Sequence, residues 1–345
     1  MIHPARRGVP LGMDTAPLRR CGRADALGYP WTTHLHPDTA AAESAAEDWA
    51  TAFGLLDDGP IAARYRGVSV GLLAGLTHPR TSPARLELVA QVMAWIFLED
   101  DEFDEGHAAD GVEPIVARLH RHLDVLRDRT APATADPADH ALADLARRLA
   151  AQGSAQWYAR FVATLRRFWL HGVAVESWYR EHAITPDPAS YMATRVQTVG
   201  VYVCLALVEL DDELEERLYG DPIVRRATWL TSRIIAYVND IYSYEKERRA
   251  GDPNNFVHVV RHHDGLDLDE AVARAARCHD LELAQFIHLA HALEHRDPGR
   301  AVGHYLEGCR TWMVGALHWQ RAARRYAGGR ALLHHEPAAT LRAAT

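Results

Sequence analysis

An all-α fold is what this sequence predicts, on three observations. Apolar residues recur at spacings of three and four through most of the chain, no stretch alternates as a strand would, and Pro or Gly beside a capping Asp or Ser punctuates it at helix-length intervals. The 345 residues, 48% of them hydrophobic, are enough for one large core. Residues 29–330 are therefore read as one helical domain. Before it, residues 1–28 carry Arg6, Arg7, Arg19, Arg20 and Arg23 without periodicity and read as a disordered basic arm, and residues 331–345 form a tail.

Taken in order, helical period begins after Pro37-Asp38, with Ala42, Ala45, Trp49 and Phe53 on one face. Ser82-Pro83 reads as an N-cap with Pro at the first helical position. The helix it opens is apolar on nearly every side from Leu86 to Leu98, as in a buried helix, and ends in Glu99-Asp100-Asp101-Glu102-Phe103-Asp104-Glu105. Further boundaries are expected at Pro114, Asp136-Pro137, Gly153-Ser154, Asp187-Pro188, Gly220-Asp221-Pro222, Gly251-Asp252-Pro253, Asp297-Pro298 and Gly328-Gly329. These signals give roughly ten or more helices. Residues 129–139, rich in Pro, Ala and Thr, read as a surface loop.

The acidic helix end carries the first chemical signal. Asp100 and Asp104 lie one turn apart on one face with Asp101 beside them, and their mutual repulsion is aggravated by the helix C-terminus, where the dipole disfavours negative charge. A hard divalent cation removes that conflict, and an all-oxygen donor set without His or Cys points to Mg²⁺ or Mn²⁺ rather than zinc. By itself the cluster is equally a solvated acidic helix end.

A second signal reduces that ambiguity. After Pro222 a long helix carries Trp229, Ile234, Ile235 and Val238, then Asn239-Asp240-Ile241-Tyr242-Ser243-Tyr244-Glu245-Lys246-Glu247. Asn239, Ser243 and Glu247, spaced i, i+4, i+8, drift only about 40° per step, so an amide oxygen, a hydroxyl and a carboxylate align on one face as donors for one cation. Lys246 beside them can reach an anion held by that cation. Between the two signals, the helix opened by Asp187-Pro188 carries Tyr191, Arg195 and Thr198, then meets Gly200. Gly costs about 1 kcal/mol inside a helix, so Val199-Gly200 is either a break that exposes backbone carbonyls or a close helix contact. Asp211-Asp212-Glu213-Leu214-Glu215-Glu216 reads as a solvated helix face, because none of these companions surrounds it.

These residues resemble the motifs of the bacterial class I terpene synthases. The family's DDxxD motif is matched by Asp100-Asp101-Glu102-Phe103-Asp104, and its NDxxSxxxE motif by Asn239 through Glu247, both without a gap. Tyr191, Arg195, Thr198 and Gly200 match its diphosphate-sensing segment, and Arg325-Tyr326 its Arg-Tyr pair near the C-terminus. The resemblance implies a single-domain helical bundle around a central active-site cavity and the ionisation of a linear isoprenoid diphosphate, most often the fifteen-carbon farnesyl chain. It assigns metal binding to Asp100, Asp101, Asp104, Asn239, Ser243 and Glu247, with three Mg²⁺ ions and Mn²⁺ as a substitute. Catalysis falls to Asp100, Arg195, Thr198, Val199 and Gly200. Substrate binding falls to Arg195, Lys246, Arg325 and Tyr326, with Phe97, Trp312 and Trp319 as aromatic walls for a carbocation. Trp95 and Trp178 are alternative walls, and for each aromatic core packing is an equal reading. Glu99 and Glu105 depart from the family's pattern, and no DxDD sequence is present, so protonation-initiated chemistry is not indicated.

Composition bounds the alternatives. A formal charge of −8 and a pI near 6.2 offer no basic stripe for nucleic acid. The longest strictly apolar run, 199–208, is too short to span a bilayer, and no hydrophobic signal core opens the chain. Cys21, Cys204, Cys278 and Cys309 stand far apart and fit a reducing cytoplasm. The 21 His residues, His262-His263 included, share no ligand-spaced face and are assigned no metal. A homodimer is compatible with these features. A chain-elongating prenyltransferase of the same fold would need two aspartate-rich motifs, against which Asn239 and Ser243 argue, and a non-catalytic helical scaffold would leave both motifs unexplained.

Overall fold

A computed structural model describes residues 27–56, 59–105, 111–296 and 299–326, with Asp104 and Glu105 described as helical backbone alone. The described residues contain fifteen α-helices and no strand: α1 (Thr39–Ala52), α2 (Pro60–Val68), α3 (Val70–Thr77), α4 (Pro83–Glu105), α5 (Val112–Asp128), α6 (Pro137–Gln152), α7 (Ala155–Phe168), α8 (Ala174–Glu181), α9 (Pro188–Thr198), α10 (Val201–Val208), α11 (Glu216–Tyr219), α12 (Pro222–Ala250), α13 (Phe256–Asp264), α14 (Leu268–Arg296) and α15 (Arg300–Ala322). A π-helical turn, Trp169–Val173, joins α7 to α8, and a 3₁₀ turn, Arg324–Tyr326, follows α15. The architecture is the all-α bundle expected. The arm, the tail, Cys21, Asp297-Pro298 and Gly328-Gly329 lie outside the described residues, as does the side chain of Asp104.

The boundaries follow the chemistry of the caps. Asp136, Ser154, Asp187 and Asp221 each accept hydrogen bonds from the first-turn amides of α6, α7, α9 and α12, and Pro stands at the start of α6, α9 and α12. Each such cap is worth about 1 kcal/mol and fixes where its helix starts. Two boundaries differ from expectation. Pro114 lies inside the first turn of α5, where its missing N–H is harmless, and residues 137–139 of the expected loop belong to α6, because Asp136 caps the helix there.

At the centre, α12 packs between α14 and α15, with α9 and α10 against its flank, while α1 and α3 brace α4. The α9–α10 stretch Pro188–Val208 is 21 residues long with mean hydropathy 1.3, apolar enough to cross a membrane by composition. It is instead a core pair of helices, 56% buried in the bundle and broken at Gly200. Cys204, Cys278 and Cys309 are free thiols.

Candidate active site

On α12, Asn239, Ser243 and Glu247 all face one cavity, with Lys246 exposed on its rim. Their register is set by Asp240, which sequence reasoning passed over. Fully buried, its carboxylate accepts from Arg195 Nε at 2.9 Å, Tyr191 OH at 2.6 Å and the Phe256 amide at 2.9 Å. Asn255, the cap of α13, donates from Nδ2 to Glu247 Oε2 and to the Asp240 carbonyl, both at 2.7 Å. The ligand stripe is thus built from behind, by neighbours that are not themselves ligands. Burial pushes the Glu247 carboxyl up to about 7, with Arg195 opposing and Asp240 reinforcing, a state that a bound cation would reverse.

Across the cavity, Asp100 lines the wall and Asp101 turns toward Arg325, whose Nη1 lies 2.8 Å from Asp101 Oδ1 and whose Nη2 lies 3.8 Å from Asp100 Oδ2. Both adjacent aspartates thus face the same guanidinium, Asp101 more closely than Asp100. Burial raises the Asp100 pKa, Arg325 lowers it and Asp101 raises it again. Glu99 takes no part in the cavity and bonds to α5 instead.

The sensing segment sits between these walls. Arg195 Nη2 donates to Asn239 Oδ1 at 2.6 Å, and its Nη1 donates to Thr198 Oγ1 at 3.3 Å. Although burial works against its charge, Asp240 keeps Arg195 charged, with a pKa well above the ordinary guanidinium value. Of the two alternatives at Val199-Gly200 the structure shows the break: Gly200, at φ +75°, separates α9 from α10, a conformation in which a Cβ would be strained, and no neighbour lies within 4 Å of that Cβ. Val199, Gly200 and Thr198 all line the cavity. Thr198 donates to Glu176 Oε1 at 2.5 Å, and the π-helical turn makes this possible by bringing Gly172 so close that a Cβ there would lie 2.7 Å from Thr198. Glu176 is a site residue that no sequence signal singled out. Burial pushes its carboxyl up to about 8, against the pull of Arg195.

The cavity, about 150 Å³, extends from these polar groups to an apolar floor that includes Leu73, Met93 and Phe168. Phe97, Trp312 and Trp319 line it. Trp319 is held by a 2.7 Å bond from Nε1 to the Val68 carbonyl and stacks edge-on against Tyr326, whose hydroxyl accepts from Asn239 at 3.2 Å. Phe97 lies beneath the Arg325 guanidinium, 5.5 Å from its centroid. The alternative walls are placed elsewhere. Trp95 is core, bonded to the Ala138 carbonyl, and Trp178 is 41% exposed beside His182.

The Asp211–Glu216 cluster is not the helix face expected: residues 211–215 form a loop after α10 and only Glu216 is helical, opening α11, while the acids fold back onto arginines, Asp211 on Arg85, Asp212 on Arg300, and Glu213 and Glu216 on Arg160. A larger cleft of about 600 Å³ opens between α7, α10 and the first half of α12, with Arg160 at its wall. It contains neither motif, and Arg160 is already paired with Glu209 at 2.7 Å.

A hard divalent ion fits the first cavity. Asp100, Asn239, Ser243 and Glu247 present carboxylate, amide and hydroxyl oxygens without His or Cys, as Mg²⁺ prefers. Among the described residues no three His, Cys, Asp or Glu side chains converge into a preformed cage. Asn254, also on the cavity wall, has a buried Oδ1 without a partner, an oxygen that sequence reasoning missed. Its signal was the polar Asn254-Asn255 pair just before α13.

Comparison with known proteins bears on this arrangement. Residues 91–285 match the family described as "Terpene synthase family 2, C-terminal metal binding". The (+)-T-muurolol synthase ((2E,6E)-farnesyl diphosphate cyclizing) of Roseiflexus castenholzii is 32% identical over 305 residues, covering 87% of this chain and 93% of that protein. Pristinol synthase of Streptomyces pristinaespiralis is 30% identical over 94% of this chain and 91% of its own length. Among solved structures, germacradien-4-ol synthase from Streptomyces citricolor superposes with a TM-score of 0.75 at 24% identity, over 87% of this chain and 99% of that one, a likeness of fold.

Proposed function

The chain belongs to the class I terpene synthases, and from that premise we propose that it ionises and cyclises farnesyl diphosphate to a cyclic sesquiterpene or sesquiterpene alcohol, releasing diphosphate. One observation carries the reading: two oxygen-donor groups, on α4 and α12, face a cavity whose far end is apolar and aromatic. A diphosphate head and a hydrocarbon tail fit those two ends. The related muurolol synthase is a farnesyl diphosphate cyclizing enzyme, which supports the chain length.

We assign three Mg²⁺ ions, or Mn²⁺ in their place, to Asp100, Asp101 and Asp104 on one side and Asn239, Ser243 and Glu247 on the other. Bound there, the ions supply Lewis-acid neutralisation of the leaving group. Arg195, Lys246 and Arg325 clamp the diphosphate, with Tyr326 as a hydrogen-bond donor, so that negative charge developing on the departing oxygen meets fixed positive charge. Arg325 pairs with Asp101 and Arg195 donates to Asn239, so in each case a group assigned to the anion is joined to one assigned to the cation. Substrate entry exchanges those partners. Thr198, Val199 and Gly200, at the helix break, place polar backbone beside the cation that remains, and Phe97, Trp312 and Trp319 exclude water and offer π faces to it. The catalytic unit is residues 29–330, working in the cytoplasm, and a homodimer is compatible with it.

A second reading, a ten-carbon substrate, draws on the cavity, whose 150 Å³ is below the roughly 300 Å³ at which ligand pockets commonly begin. Incubation with geranyl, farnesyl and geranylgeranyl diphosphate, each with Mg²⁺ and with or without isopentenyl diphosphate, separates the readings by mass spectrometry. A cyclic fifteen-carbon product formed with the highest kcat/KM is expected. A dominant ten- or twenty-carbon cyclic product would overturn the chain length, and elongation dependent on isopentenyl diphosphate would overturn the cyclase reading itself.

A further inference from the structure

Behind the acidic end of α4 lies a buried charge network with no part in the cavity. Glu99, 5% exposed, accepts two bonds from Arg118 of α5: Nη2 to Oε1 at 2.7 Å and Nε to Oε2 at 3.0 Å. The same carboxylate meets His122 Nε2 at 2.8 Å, and His122 Nδ1 meets Asp139 Oδ1 of α6 at 2.7 Å. His122 is fully buried between Trp95 and Trp169, with ring centroids 5.2 and 5.5 Å away. Two carboxylates, an arginine and a histidine thus join in one set that ties three helices together. Burial opposes a charge on His122, but its bonds to Asp139 and Glu99 outweigh that and raise its pKa.

Geometry gives the network a direction. At 100° per residue, Glu99 and Phe103 share one face of α4 one turn apart, and Asp100 stands about 100° around the helix from Glu99. Arg118 grips both members of that back face, bonding Glu99 and lying 5.7 Å over the Phe103 ring. A helix held at two points a turn apart cannot rotate about its axis, and rotation is what would swing Asp100 out of the cavity. Apolar residues of equal volume would commonly give as much stability as a buried ion pair, so the network's contribution is better sought in orientation.

We propose that Glu99 is a positioning residue: pinned by Arg118 and His122, it sets the rotation of the last two turns of α4, and with it the metal affinity of the aspartate side, without binding metal itself. The proposal rests on the assignment of Asp100 to metal binding. Its test uses the full-length protein, with Glu99→Gln, Arg118→Gln and Arg118→Lys compared with wild type and Asp100→Asn. Isothermal titration of Mg²⁺ in the presence of inorganic diphosphate gives affinity and stoichiometry apart from turnover, and the Mg²⁺ dependence of turnover separates kcat from half-saturation. Supporting outcomes are a half-saturating Mg²⁺ concentration raised about tenfold or more in Glu99→Gln and Arg118→Gln, as for other residues that orient metal ligands, with stoichiometry and saturated kcat retained and Arg118→Lys partly restored. An unchanged Mg²⁺ response with only a lower Tm would make the network merely structural, and loss of an ion from the stoichiometry in Glu99→Gln would make Glu99 a ligand. Either overturns the proposal. Should Glu99→Gln fail to fold, the half-buried Arg118 carries the same test. Wild type that binds no Mg²⁺ with diphosphate would overturn the metal assignment and this proposal together, whereas an intact wild-type response with insensitive variants would overturn this proposal alone.

Discussion

On α12, Asn239, Ser243 and Glu247 project from the middle and last turns of a helix whose next-door Asp240 is locked by Arg195, Tyr191 and the Phe256 amide. On α4, Asp100 and Asp101 stand in the final turns, where the helix dipole disfavours them, and meet Arg325 across the cavity. One wall is therefore braced from behind by the core, and the other is a cluster of acids facing the Arg325 guanidinium and held by its back-face contacts. The contrast teaches that two motifs lining one cavity need not contribute alike to stability: α12 couples its stripe to the core, while α4 gathers its acids at a helix end where they repel one another.

The largest effect expected is on turnover. Asp100→Ala should reduce turnover of farnesyl diphosphate by about a hundredfold or more, and Asn239→Ala, Glu247→Ala or Arg195→Gln should do so equally for every chain length, since all substrates share the diphosphate. Steady-state rates with the three diphosphates check this. A loss confined to one chain length would place the residue in the hydrocarbon pocket.

Next comes stability without metal, which separates the two walls most sharply. Asp240→Ala leaves Arg195 buried without its partner and should destabilise the protein by roughly 3–5 kcal/mol. Asp100→Ala removes a carboxylate from a repulsive cluster and should change stability little or raise it. Urea unfolding in excess chelator gives both values, and equal losses at the two positions would erase the contrast.

A smaller effect is expected from pH. Burial pushes Glu176 from an ordinary 4.5 up to about 8, and Glu247 from 4.5 up to about 7. Between those values the folded protein holds protons that the unfolded chain has released, so the stability of the metal-free protein should fall as pH rises through this window. Glu176→Gln should flatten part of that slope in melting curves taken in chelator. An identical slope in wild type and variant would remove Glu176 from the account.

How far the sequence disclosed these features depends on whether a signal was local. Helix type and most starts were legible because capping Asp or Ser beside Pro acts within one turn, and both metal motifs were legible because i, i+4 spacing is a property of a single helix. Asp240 was hidden because its partners come from α9 and α13, and Glu176 because a π-helical turn, which nothing in the amino-acid pattern announces, aims it at Thr198. The acidic run at 211–216 misled for the same reason: its acids pair with arginines from α4, α7 and α15. Glu99 stood out as a departure from the family pattern, yet its direction is fixed by α5 and α6, far along the chain.

The smallest expected effect on rate concerns the walls. Phe97→Leu, Trp312→Leu or Trp319→Leu should alter product distribution more than substrate consumption, since each acts after ionisation. Gas chromatography with mass spectrometry checks this, and an unchanged mixture with a lower Tm would return that residue to core packing.

The pairing of the two walls around one metal–diphosphate centre is tested most directly by a crystal structure of the full-length protein soaked with Mn²⁺ and inorganic diphosphate, read by anomalous scattering. The account predicts manganese bound by Asp100 on one side and by Asn239, Ser243 and Glu247 on the other, with the diphosphate between them and Arg325 moved from Asp101 onto the anion. Manganese at the Asp211–Glu216 loop instead, or density at the aspartates with the α12 stripe empty, would contradict it.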